Sequence, residues 1–196
     1  MNHLIATFDH TTLSLTDMHG MHRLRYEVFA QKLGWDVETV NEMERDRYDD
    51  LPNVVYVLAK NPADQSVNAC WRMLPTTGSY MLRDTFPELL HGQPTPEADD
   101  CWELSRFAVA TNPLSTANGT FGPLSKALMM ESARFAKARG INRYVTVTTP
   151  IMERMLKHQG LHIHRIGPAI KIGVAAALAC VIKVDHITLG AIDFRP

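Results

Sequence analysis

The segment between Pro123 and Gly140 restricts the fold more than any other. Proline stands where the first turn of a helix needs no amide hydrogen, and glycine where the chain must turn left-handed to stop. Leu124, Ala127, Leu128, Phe135 and Ala138 fall on one stripe of that helix. A strand-patterned run stands on each side, Trp102–Val109 (WELSRFAV) before it and Arg143–Thr148 (RYVTVT) after it. Thr149 and Pro150 then cap a second, short helix that Gly160 ends. Upstream, Leu4–Phe8, Asn53–Ala59 and Val67–Leu74 read as strands, and Leu161–Ile166 and Ala177–Val184 follow downstream. Helices alternating with strands predict a three-layer α/β/α sandwich with a mixed central sheet. All 196 residues read as a single domain, long enough for a full core.

The N-terminal third carries a different signal. A helix is predicted from about Thr16 to Leu33, with Asp17 in its first turn, Lys32 in its last and Gly34 as a stop. Arg25 and Phe29 share a face of it, and Trp35 lies just beyond its end. Glu42, Glu44, Asp46, Asp49 and Asp50 follow at once. Aromatic faces beside several carboxylates make a receptor for a small organic cation. Arg72, Glu103 and Arg106 fall inside predicted strands, where a charge must be paired or functional. Either an arginine–carboxylate network beneath a pocket or a purely structural ion-pair network answers that requirement. Strict alternation puts Trp102, Leu104, Arg106 and Ala108 on one face, and Glu103, Ser105, Phe107 and Val109 on the other. Tyr80–Leu90 reads as a short strand and a helical turn around Phe86, and Asn112–Gly122 as a loop.

Several function classes are excluded by pattern. No apolar run reaches the ~18 residues of a membrane span, and Gly173–Ile182 reads as a buried strand. The first residues lack the cationic start and apolar core of a signal peptide. Cys70, Cys101 and Cys180 are odd in number and widely spaced, which suits a reduced cytoplasmic protein without structural zinc. His158, His162 and His164 are interrupted by Gly160 and have no acidic or cysteine companion nearby in sequence, so no metal site is expected. There is no G-x-S-x-G motif to supply a covalent nucleophile. Net charge is −1, but residues 1–100 hold 8 Lys+Arg against 16 Asp+Glu, and residues 101–196 hold 12 against 5. One half can attract a cation and the other an acidic partner.

These residues together resemble the acyl-homoserine-lactone synthase family, which makes bacterial quorum-sensing autoinducers. The resemblance rests on Arg25, Phe29, Trp35, Glu44, Asp46, Asp49, Arg72, Phe86, Glu103 and Arg106, inside strings such as CWRMLPTT, MLRDTFPEL and WELSRFAV. It continues through YVTVTTPIMERML and RIGPAIKIG, and none of the ten positions departs from the family pattern.

The resemblance implies a fold related to GCN5-type N-acetyltransferases. It also implies an acyltransferase that moves an acyl chain from acyl carrier protein to the amine of S-adenosylmethionine. The product then lactonises with release of methylthioadenosine. S-adenosylmethionine is a substrate, so no cofactor is expected; neither is a nucleic-acid partner. Glu103 is expected to take the amine proton, with Arg25, Glu44, Asp46, Asp49, Arg72 and Arg106 completing the catalytic group. Phe29, Trp35, Asp46, Arg106 and Phe107 are expected to hold S-adenosylmethionine. Ser105, Thr146 and Met152 are expected to line the acyl pocket, with Thr146 implying a 3-oxo chain of medium or long length. Arg154 and Lys157 are the expected contacts for the acidic carrier protein. The alternative, a GCN5-type acyltransferase using an acyl-CoA, predicts a pyrophosphate loop of the R/Q-x-x-G-x-G kind, which this sequence lacks. A non-catalytic binding domain is a further rival, and predicts that Glu44, Asp46 and Glu103 can become amides without loss of function.

Overall fold

The computed structural model describes residues 3–110 and 121–194. The chain opens with β1 (Leu4–Asp9) and α1 (Leu15–Arg25), which runs directly into a π-helical segment, Tyr26–Lys32. A two-residue hairpin follows, β2 (Thr39–Val40) and β3 (Met43–Glu44), then a 3₁₀ turn over Arg47–Asp50. β4 (Val55–Lys60) and β5 (Val67–Pro75) lead to the short α2 (Met81–Asp84) and a 3₁₀ turn, Pro87–Leu90. The second half holds β6 (Cys101–Val109), α3 (Pro123–Arg139), β7 (Arg143–Thr148) and α4 (Pro150–His158). It ends with β8 (Ile163–Arg165), β9 (Ile170–Ile172), β10 (Ala175–Lys183) and α5 (His186–Ala191).

Eight strands form the main sheet in the order β1-β4-β5-β6-β7-β10-β8, with β9 also paired to β10. Its pairs are antiparallel except β6 with β7, which run parallel and are joined by the α3 crossover. That mixed sheet covered on both faces is the predicted sandwich. One core cluster packs Leu128 of α3, Leu156 of α4 and Ile192 just past α5 against Trp71, Met73, Leu104 and Tyr144. The other packs Met21 and Leu24 of α1, together with Phe29, Met81 and Leu82, against Tyr56, Leu58 and Cys70. No helix of the described residues is long and apolar enough to cross a membrane.

The helix over Pro123–Arg139 has the predicted bounds, with Gly140 left-handed at φ 70°. Its buried face is rotated from the predicted stripe: Ser125, Leu128, Met129, Ser132, Phe135 and Ala136 are buried, and Ala138 is exposed. Thr149 caps α4 by accepting from the Met152 amide, as its spacing suggested. Tyr80–Leu90 contains no strand, because Glu103 captures its backbone amides at the start of α2. The loop predicted over Asn112–Gly122 lies outside the described residues up to residue 120. His162 does find an acidic companion, Asp185 at 2.5 Å, a residue the sequence separates from it and the N-cap of α5 delivers.

Candidate active site

The site begins with a break in the β6 pattern. On β5 and β6, Cys70 pairs with Ala108 but Arg72 pairs with Ser105, so two residues, Arg106 and Phe107, face one. Arg106 takes up the extra residue at φ 57°, a left-handed conformation that costs a non-glycine residue on the order of 1 kcal/mol or more. The bulge reverses the predicted alternation beyond Ser105. Arg106 and Ala108 join Glu103 on the α1 side of the sheet, while Phe107 and Val109 join Trp102 and Leu104 on the α3 side. Arg106 thereby leaves the face to which strict alternation assigned it and meets the acidic segment.

Three guanidinium groups and three carboxylates interlock there. Arg25 donates through Nε to Glu44 Oε2 at 2.5 Å and through both terminal nitrogens to Asp49 at 2.8 and 2.9 Å. Arg72 donates from Nη1 to Asp46 Oδ1 at 2.5 Å and to Asp49 Oδ1 at 2.9 Å, and from Nη2 to Asp46 Oδ2 at 3.0 Å. Arg106 reaches Glu44 Oε1 at 2.9 Å and Asp46 Oδ2 at 2.8 Å. The group is electrically balanced, which makes its burial tolerable. Local structure supplies the acids: β2–β3 presents Glu44, and Asp46 and Asp49 form a reciprocal capping box on the 3₁₀ turn.

Burial differs across the group. Arg25, Arg72 and Glu44 are sealed, whereas Arg106 and Asp46 keep 13% and 10% of their side chains exposed. Burial alone would raise the Asp46 and Asp49 pKa values, but the arginine charges and hydrogen bonds overcome it and hold both below the usual carboxylate range. Beside the Arg106 edge, Phe29 and Trp35 stack with centroids 5.3 Å apart and planes 10° apart. The Arg106 guanidinium lies 5.6 Å from the Phe29 ring centre.

Glu103 sits apart from the arginine pairs. It is fully buried and accepts from the Met81 and Leu82 amides at 3.0 and 2.7 Å. Burial pushes its pKa up to about 7, against the pull of those amides and of Arg72 and Arg106.

The other residues expected at the site divide between the two faces. Ser105 joins the network, accepting from Arg72 Nε at 3.1 Å. Phe107 is not brought to Phe29 and Trp35; it packs across the sheet against Trp71 and Phe121. Thr146 and Met152 lie on that far side, and the Thr146 hydroxyl donates to the Leu104 carbonyl at 2.8 Å. Phe86 packs beside the α1-side core. Arg154 and Lys157 are exposed on α4, where Lys157 pairs with Glu153 at 2.6 Å. Glu153 also takes Arg165, and these bonds lower its pKa to about 2. Among the described residues no carboxylate pairs with Arg154.

Three contributors escaped the sequence reading. His22, buried three residues before Arg25 on α1, lies with Nδ1 2.7 Å from the Glu44 carbonyl and so donates to it, and burial lowers its pKa. Tyr56 pairs in register with Arg72 and donates to Asp49 Oδ1 at 2.7 Å. Met81 places its sulfur 3.1 Å from Arg72 Nη2 and 3.4 Å from Arg106 Nη1. Helical spacing from Arg25 could have flagged His22; the other two depend on tertiary placement.

Comparison with known proteins identifies the family and the fold. The autoinducer synthase family model matches residues 9–192. An acyl-homoserine-lactone synthase of Pseudomonas aeruginosa is 41% identical over 168 residues, covering 86% of this chain and 83% of that protein. The crystal structure of the synthase LasI superposes with a TM-score of 0.87 at 38% identity, over 97% of this chain and 94% of that one. TofI, crystallised in a ternary complex with an inhibitor and MTA, superposes with a TM-score of 0.80 at 35% identity over 97% and 98% of the two chains. A putative N-acetyltransferase from Lactobacillus plantarum shares the fold alone, with a TM-score of 0.63 at 14% identity over 94% and 100% of the chains. The chain belongs to the autoinducer synthase family and is an acyl-homoserine-lactone synthase, an acyltransferase.

Proposed function

We propose that the enzyme acylates S-adenosylmethionine with a 3-oxo acyl chain, of medium or long length, delivered as a thioester on acyl carrier protein. The observation that carries this reading is the slightly exposed Arg106–Asp46 pair beside the Phe29–Trp35 stack, at the edge of an otherwise sealed network. The sulfonium lies against Trp35 with Asp46 as its nearby carboxylate, and Arg106 takes the substrate's own carboxylate. Arg25, Arg72, Glu44 and Asp49 are sealed and hold that edge in place. MTA, the molecule bound in the TofI complex, is what this reaction would leave behind.

The chemistry needs few groups. The α-amine, with a reference pKa of about 8, gives up a proton to Glu103 through a water. Its nitrogen lone pair then attacks the thioester carbonyl, forming the amide, and the carrier thiol leaves and takes a proton. A Glu103 pKa of about 7 suits the acceptor. In the second step a carboxylate oxygen attacks the γ-carbon and the carbon–sulfur bond breaks. Its electron pair neutralises the sulfonium, so methylthioadenosine leaves without a proton. Positioning supplies much of that internal step's acceleration.

The thioester enters where β6 and β7 part. Their pairing stops at Leu104 and Thr146, although β6 continues to Val109. Beyond that point the acyl tail passes to the α3 side, where a cavity of about 30 Å³ lies among Trp71, Leu104, Met129, Tyr144 and Ile182. Met129 and Met152 are pliant enough to yield to a longer chain. The Thr146 hydroxyl turns from the Leu104 carbonyl to the 3-oxo group. Arg154 and Lys157 meet the acidic carrier protein, and the substrates place the enzyme in the cytoplasm.

The deciding assay incubates the protein with S-adenosylmethionine and a panel of acyl thioesters on carrier protein and on coenzyme A. An acylated lactone plus methylthioadenosine from 3-oxo carrier thioesters is expected. No methylthioadenosine with any donor would sink the proposal, and equal use of coenzyme A thioesters would overturn its choice of donor.

A further inference from the structure

Arg106 distributes its donors unevenly. Nε goes to Glu44 and Nη2 to Asp46, both carboxylates, whereas Nη1 meets only the Met81 sulfur among the described residues. A thioether is a weak acceptor beside a carboxylate. The same sulfur faces Arg72 Nη2, which already holds Asp46. Met81 is 5% exposed, and its backbone amide is fixed to Glu103 Oε2 at 3.0 Å. Only its unbranched side chain is left to move, and a methionine side chain changes rotamer readily.

We propose that the Met81 thioether is a stand-in acceptor that holds Arg106 Nη1 until it yields to the carboxylate of the incoming substrate. The inference rests on the reading that Arg106 takes the carboxylate of S-adenosylmethionine. Met81 then acts as a positioning residue working through Arg106. A stronger acceptor at residue 81 would hold the guanidinium against the substrate. An apolar residue of the same size would leave Nη1 unmet and no less ready for a carboxylate.

Calorimetric titration of Met81→Gln and Met81→Leu with S-adenosylmethionine and with methylthioadenosine tests this. Methylthioadenosine carries no carboxylate, so it reports on the rest of the site. Met81→Gln should weaken S-adenosylmethionine binding about tenfold and leave methylthioadenosine within about twofold; Met81→Leu should bind S-adenosylmethionine at least as tightly as the wild type. The steady-state counterpart is a raised KM for S-adenosylmethionine in Met81→Gln with the KM for the acyl donor unchanged. Parallel weakening of both ligands, no change in either, or a weaker Met81→Leu complex would each overturn the inference. If the wild type binds neither ligand, the substrate reading falls and takes this inference with it. If the wild type binds both and the variants break the pattern, the Met81 inference alone falls.

Discussion

Tyr56 donates its hydroxyl to Asp49 Oδ1 at 2.7 Å, the same oxygen that receives Nη1 of both Arg25 and Arg72. Asp49 Oδ2 takes Arg25 Nη2 and the Asp46 amide. One carboxylate thus ties α1, β4, β5 and the 3₁₀ turn together.

Asp49→Asn should therefore unfold more easily than any surface variant. Two buried arginines would lose their shared counter-charge, a loss of about 3–5 kcal/mol, read by urea denaturation. A change below about 1 kcal/mol would show that Asp46 and Glu44 suffice. The wild type has a related acid limit. Asp46 and Asp49 have depressed pKa values in the folded state, so their stabilisation is complete above the unfolded value of about 3.9. It disappears as the pH falls through the depressed values.

Glu103 predicts the pH profile of turnover. Its carboxyl must be ionised to accept a proton, and burial raises its pKa to about 7. The rate with a saturating acyl donor should rise with pH through about 7, with a second rise from the free amine near 8. Glu103→Gln should lose the lower limb and keep the upper. Persistence of the limb near 7 in that variant would assign it elsewhere.

Thr146→Val tests acyl choice. The hydroxyl is already bonded to the Leu104 carbonyl, so its removal deletes one buried hydrogen bond and costs about 1 kcal/mol of stability. The product profile, read by mass spectrometry, should shift from 3-oxo towards unsubstituted chains. An unchanged profile would mean that the hydroxyl serves the strand alone.

Carrier recognition should separate Arg154 from Lys157. Lys157 is engaged by Glu153, while Arg154 is exposed. Arg154→Glu should raise the KM for the acyl carrier thioester more than Lys157→Glu does. Added salt should shrink the difference. Equal effects would place the contact elsewhere on α4.

The arginines and acids of the network were legible in the sequence, but their pairing was not, and His22, Tyr56 and Met81 were missed. Arg25 was set by helical spacing and Trp35 by a glycine stop, which are local, but the predicted helix is α-helical only to Arg25 and carries Phe29 on a π-helical turn. Which arginine meets which acid depends on the bulge at Arg106, and no glycine marks that left-handed residue. A period-two count must miss such an insertion. The missing strand at Tyr80–Leu90 has the same origin, since a side chain more than twenty positions away organises that backbone. The helices over Pro123–Arg139 and Pro150–His158 were legible because their end signals lie beside them.

The bulge on β6 also makes the sheet a partition. Arg106 and its ion pairs lie on one side, while Phe107, Thr146 and the small apolar cavity lie on the other. Among the described residues Arg106 and Thr146 share no hydrogen-bond partner, and energetic effects of changes at sites without shared partners add. A lineage, or an engineer, can thus reshape the apolar chamber one residue at a time without retuning the charged one. Under the proposed function, the signal's tail and its head group become independent problems, divided by a single backbone irregularity.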